Sequence, residues 1–134
     1  MNETMVKKTT KKSKILVTED DAFLADIYRT KLAHEGFEVL LARDGEAGLR
    51  LAKKEIPDLI LLDILMPKKD GFEVLKELKA DAKTRRIRVI LLTNLGQKED
   101  VDRGLELGAD DYLIKAHFLP SETVRKIRHV LDLP

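Results

Sequence analysis

Three acids stand side by side where a short apolar run ends: Ile15-Leu16-Val17 passes through Thr18 into Glu19-Asp20-Asp21. A second run, Leu59-Ile60-Leu61-Leu62, leads directly into Asp63. Val89-Ile90-Leu91-Leu92 ends at Thr93, and Tyr112-Leu113-Ile114 ends at Lys115. Close carboxylates repel one another unless a cation sits among them. A hard divalent ion such as Mg2+ (Mn2+ is a substitute) takes oxygen ligands, binds through one or two carboxylates and often sits beside a phosphate. Glu19, Asp20 and Asp63 are the candidate ligands, and Asp63 keeps an oxygen with which to attack a phosphoryl group. The metal and the Lys115 ammonium would neutralise that group from two sides, with a hydrogen bond from Thr93. Singly, each residue has a plainer reading. Asp63 reads as a cap, Thr93 as a strand-end hydroxyl and Lys115 as a surface lysine, while Asp20 or Asp21 suits a helix N-cap. Their coincidence at successive strand ends is what points to chemistry.

The elements that must position these residues are legible. Short apolar runs bounded by turn residues suit strands buried on both faces. Between them lie amphipathic stripes: Leu24, Ile27, Tyr28 and Leu32; Ala47, Leu51 and Ala52; Val74, Leu75 and Leu78; Val101, Gly104 and Leu105; Val124, Ile127 and Leu131. Phe37 to Ala42 supplies one more strand. Gly36 and Gly108 end helices, Ile56-Pro57 ends another, and Asp70 and Ser121 are candidate caps. Strand–helix alternation repeated five times predicts an α/β fold. The expected form is a flavodoxin-like, doubly wound, five-stranded parallel sheet of order 2-1-3-4-5 with five helices, whose ligands bind at the carboxyl ends of the strands.

Composition narrows the class. A chain of 134 residues fits one domain, expected over residues 14–134, able to bury about two-thirds of its unfolded surface without metal or disulfide. Residues 1–13, with Lys7, Lys8, Lys11 and Lys12, lack apolar periodicity and are expected to form a disordered basic tail. Net charge is +1, so no direct nucleic-acid binding is expected. The absence of cysteine fits a reducing cytoplasm, and no apolar run spans a membrane or marks a secretory signal.

Five stretches in register carry a resemblance: Lys14 to Asp21, Pro57 to Pro67, Asp70-Gly71, Val89 to Thr93 and Gly108 to Lys115. Together they resemble the receiver domain of two-component response regulators over roughly residues 14–133. That resemblance implies Asp63 as phosphoacceptor. It implies Mg2+ held by Glu19, Asp20, Asp63 and the Leu65 carbonyl, with Thr93 and Lys115 contacting the phosphoryl group. Tyr112 falls at the switch aromatic. A sensor histidine kinase or phosphotransfer protein would supply the phosphoryl group. An effector, or a second copy of the chain, would read the surface of helix 4, strand 5 and helix 5, near Ile114, His117 and Phe118. Such a domain catalyses only its own phosphorylation and dephosphorylation and is not otherwise an enzyme.

Several positions depart from the family's pattern. Ala116 stands where proline usually follows the lysine, so the loop there is expected to differ. Asn94 replaces a small residue beside Thr93 and is expected to crowd the site or the path of Tyr112. Leu65 and Leu95 occupy positions whose side chains can orient a hydrolytic water, and apolar groups there predict a long-lived phosphoform. Rival readings are weaker. An aspartate-based phosphatase needs a second acid two residues after its nucleophile, where Leu65 stands. A nucleotide or flavin domain needs a glycine-rich loop after strand 1, and Thr18 to Phe23 contains no glycine. The sequence is compatible with a stand-alone receiver or with one excised from a longer protein.

Overall fold

The computed structural model describes residues 12–94, 98–115 and 119–134. Strands β1 (Lys14–Thr18), β2 (Glu38–Ala42), β3 (Leu59–Asp63), β4 (Arg88–Thr93) and β5 (Asp111–Ile114) alternate with helices α1 (Ala22–His34), α2 (Gly45–Glu55), α3 (Gly71–Ala80), α4 (Lys98–Glu106) and α5 (Pro120–Val130). All strand pairs are parallel, in the order β2-β1-β3-β4-β5. This is the expected order. It places β1 and β3 side by side and so brings Glu19, Asp20 and Asp63 to one edge.

Strand side chains alternate between two cores, because successive Cβ atoms point to opposite faces of a sheet. Leu16, Ile60, Leu62, Val89 and Leu91 pack with Leu49 and Ala52 of α2 and with Val74, Leu75 and Leu78 of α3. Ile15, Val17, Leu59, Leu61, Ile90 and Leu92 pack with Tyr28 and Leu32 of α1 and Val124 and Ile127 of α5. Burial on both faces explains why β3 reads as an unbroken apolar run.

Local signals set most helix ends. The Asp21 carboxylate accepts the N–H groups of Phe23 and Leu24, and Asp44 accepts that of Ala47. Asp70 and Glu73 form a reciprocal capping box at α3. Gly36 and Gly108 have φ of +94° and +111°, which lets the chain leave its helix in the left-handed region.

Two expectations need correction and one needs refinement. Ser121 does not cap α5: the N-cap is Leu119, without a side-chain bond, and Pro120 lies at the start of the helix. A proline at the first helical position has no N–H to satisfy, so a polar cap is less needed. Leu105 is 40% exposed and faces a groove, because α4 meets the sheet through Gly104, where a Cβ would lie 2.0 Å from Leu91 Cδ1. In α2 the buried face is Gly45, Gly48, Leu49 and Ala52, while Ala47 and Leu51 are only half-buried. Glycine draws this helix in: a Cβ on Gly48 would sit 2.7 Å from Thr18 Cγ2, a contact that counting apolar residues does not register.

Candidate functional site

Each strand ends where its ladder stops, and the next residue is thrown onto the carboxyl edge. The Glu19 N–H still bonds Ala42 O at 3.0 Å, one step beyond β1, so the Glu19 side chain is directed by the sheet and fully buried. Asp20 follows in the open, exposed. Asp63 is the last residue of β3 and only 3% exposed. One of its oxygens accepts the Leu65 N–H at 3.1 Å, which folds the chain back over the strand end. The Gly71 N–H bonds Ile64 O at 2.8 Å and completes that turn. A side chain on Gly71 would strike Asp63 O at 2.5 Å.

Lys115 reaches in from the end of β5. Its Nζ lies 2.9 Å from Asp63 Oδ2 and 3.1 Å from Glu19 Oε1. Burial opposes the ammonium's charge, but the bonds and charges of Asp63 and Glu19 outweigh it and raise the Lys115 pKa. Burial first, and the Asp63 charge with it, push the Glu19 carboxyl up to about 7, against the Asp21 N–H and the Lys115 ammonium that stabilise its ionised form. One ammonium among these acids leaves negative charge uncompensated.

Glu19, Asp20 and Asp63 each offer an oxygen within 4.8 Å of the others. Glu19 Oε1 is buried and, among the described residues, accepts no hydrogen bond and faces only the Lys115 ion pair. All-oxygen donors, surplus negative charge and an under-used buried oxygen fit a hard divalent cation such as Mg2+. Tyr28 feels the same charges from below: burial first, then Glu19 and Asp63, raise its phenol pKa. Its helical spacing marks Tyr28 only as core, so this proximity is invisible in the sequence.

Thr93 ends β4 and is 3% exposed, its hydroxyl 3.5 Å from Asn94 O. It lines two spaces. One is a crevice of about 10 Å³ shared with Asp63, Leu65, Asn94 and Asp100. The other is a groove of about 300 Å³ between α4 and β5, reaching Val101, Leu105, Tyr112 and Ile114. Tyr112 is half-buried, with Lys126 Nζ 4.8 Å from its ring centroid and 2.7 Å from its carbonyl. Asp100 and Lys126 come from helix faces with no motif to flag them. Leu95, Ala116, His117 and Phe118 lie outside the described residues.

Residues 15–128 match the family model for the response regulator receiver domain. The chain belongs to that family. Among curated relatives, this receiver is 47% identical over 119 residues to the transcriptional regulatory protein CpxR of Klebsiella pneumoniae, covering 89% of this chain and 49% of that one. It is 44% identical to the probable transcriptional regulator ycf27 of Guillardia theta, covering 90% and 46%. The receiver thus spans about half the length of the curated relatives it matches. Among solved structures it resembles a putative response regulator from Chloroflexus aurantiacus, with a TM-score of 0.86 and 32% identity over 91% of this chain and 99% of that one. It also resembles the receiver domain of a Pseudomonas aeruginosa sensor histidine kinase, with a TM-score of 0.83 and 30% identity over 91% and 99%; that structure has a magnesium ion coordinated in its active-site cleft. The receiver is therefore a signalling domain of a two-component system, with the flavodoxin-like fold. No helix among its described residues is long and apolar enough to cross a membrane.

Proposed function

We propose that Asp63 accepts a phosphoryl group from a phosphohistidine of a sensor kinase or phosphotransfer protein, in the cytoplasm. The observation that carries this is the Asp63 carboxylate, 3% exposed, held by Lys115 Nζ at 2.9 Å among acids that converge on one point. A carboxylate oxygen of Asp63 bonds to phosphorus, the bond from phosphorus to the histidine nitrogen breaks, and its electron pair leaves with the imidazole. Lys115 neutralises charge on the transferring group, and the Thr93 hydroxyl donates to it. Glu19, Asp20, Asp63 and the Leu65 carbonyl would hold Mg2+ (or Mn2+), which supplies further charge neutralisation at the phosphoryl oxygens. Phe23, Leu65 and Leu119, which follow Asp21, Asp63 and Lys115 by two to four residues in the chain, are exposed at 75%, 60% and 60% and would offer apolar contacts to a docking phosphodonor.

Output follows from the wall that Thr93 shares between crevice and groove. A hydrogen bond to a charged acceptor is worth about 1.5–3 kcal/mol, the size of a typical allosteric coupling. In this reading Thr93 turns toward the phosphoryl group, and Tyr112 moves into the groove between α4 and β5. The changed surface of α4, β5 and α5 then binds an effector or a second copy of the receiver.

The test is incubation of the full chain with acetyl phosphate and Mg2+, read by intact mass. One phosphoryl adduct is expected in the wild type and none in Asp63→Asn. An adduct of equal yield in Asp63→Asn sinks the assignment. Following the adduct after donor removal tests the effect of Leu65: slow decay is expected, and decay within seconds would refute it.

A further inference from the structure

Of the acids at the carboxyl edge, Asp20 has the least to hold it. Asp63 and Glu19 are buried and bonded to Lys115, and Asp21 caps α1. Asp20 is exposed, and among the described residues its carboxylate makes no hydrogen bond or ion pair. What fixes residue 20 is its backbone. Arg43, the first residue beyond β2, donates from Nη2 to Asp20 O at 2.9 Å across 23 positions of sequence. One residue earlier in β2, Ala42 O accepts the Glu19 N–H at 3.0 Å. The end of β2 therefore grips both residues of the short link between β1 and the α1 cap.

Arg43 is unusual in what it bonds. Guanidinium groups pair best with carboxylates, often through two parallel bonds. Arg43 stands next to Asp44 and near the acidic edge, yet no ion pair among the described residues includes it. Asp44 instead caps α2 and faces Lys68 Nζ at 3.7 Å. The guanidinium is spent on a neutral peptide carbonyl, where its effect is on the direction of the Asp20 peptide and hence of the Cα–Cβ bond that aims the carboxylate.

We infer that Arg43 is a positioning residue for the divalent-cation site: by holding the Asp20 carbonyl it aims the Asp20 carboxylate at the point where Glu19 and Asp63 converge. This rests on the reading of those acids as the Mg2+ site. It has a sign that charge alone does not give. As a nearby cation, Arg43 repels Mg2+, so on charge alone its removal would tighten binding. As a positioning group, its removal must weaken binding, as loss of groups supporting a metal's ligands does.

Mg2+ titration calorimetry on the full chain separates the two. Arg43→Ala is expected to raise the Mg2+ dissociation constant roughly three- to tenfold, the size of one ordinary hydrogen bond, because Arg43 acts on the site only through the Asp20 backbone. Its melting temperature should stay close to wild type, because the residue is exposed. Arg43→Gln, which keeps a donor but not the charge, should recover part of the affinity. Unchanged or tighter binding in Arg43→Ala overturns the inference, as does an Arg43→Gln variant no better than alanine. Asp20→Asn in the otherwise native chain tests the underlying reading separately: if it leaves Mg2+ binding intact, the metal site itself is misassigned.

Discussion

Two half-buried lysines stand at opposite edges of the sheet, and their pKa values move in opposite directions. Lys79, at the amino edge, bonds the carbonyls of Arg85 and Ile87 at 3.0 Å each. Those partners are neutral, burial dominates, and its pKa falls. Lys115, at the carboxyl edge, meets burial as well, but Asp63 and Glu19 outweigh it and its pKa rises. Lys79 thus ties off the loop that leads into β4. Lys115 offsets part of a charge excess that the fold has gathered. Space alone would mislead: the amino edge holds a cavity of about 560 Å³, but the Lys14, Glu38 and Glu55 lining it are paired with one another. The crevice beside Asp63 holds only about 10 Å³. Uncompensated buried charge, rather than volume, distinguishes the end where we propose the chemistry lies.

Removing each lysine is the strongest way to break this contrast. Lys115→Ala should destabilise the receiver by about 3 kcal/mol, because it strands two buried carboxylates. Added Mg2+ should restore much of that stability, and phosphorylation by acetyl phosphate should slow by about 10²-fold or more. Lys79→Ala should lose only about 1–2 kcal/mol in thermal or urea unfolding and phosphorylate normally. A Lys79 variant that phosphorylates as poorly as the Lys115 variant would erase the distinction.

Glycine at the two edges gives a second, smaller contrast. In Gly71→Ala the new methyl meets backbone, with Asp63 O at 2.5 Å and Ile64 Cα at 2.8 Å, so the loop behind Asp63 must shift. We expect a loss of about 1–3 kcal/mol together with slower phosphorylation. In Gly36→Ala the methyl meets nothing within 4 Å, and only the left-handed backbone at φ +94° opposes it. A loss of about 1 kcal/mol with unchanged phosphorylation is expected, read by the same two assays.

The smallest effect belongs to the amino edge. Lys31 first, and Arg128 with it, hold the Glu35 carboxyl below its ordinary range. A depressed folded pKa means that the contribution is complete above the unfolded value and lost as pH falls through the folded one. Glu35→Gln should therefore lower the melting temperature slightly at neutral pH and not at all in strong acid. Equal effects at both would show that packing, not charge, is lost.

Much of this was legible in the chain. Both-face burial makes strands such as β3 read as unbroken apolar runs, and the caps at Asp21 and Asp70 act through neighbours two or three residues away. Local physics writes such features into local sequence. The acids, Thr93 and Lys115 were visible because each stands at or just past the end of an apolar run, and topology rules then brought them to one edge. The face of α2 and the exposure of Leu105 were not visible, because glycine contacts set how those helices sit and a glycine adds nothing to an apolar pattern.

What the sequence by itself determined is the set of candidate site residues and the order of the strands that carry them. Only the tertiary structure decided how their charges balance. It buried Glu19 fully and left Asp20 open, set Lys115 between Glu19 and Asp63, and gave Asp20's carbonyl to Arg43. Burial and separation in space set electrostatic energies, and neither is a property of any residue or of its neighbours along the chain.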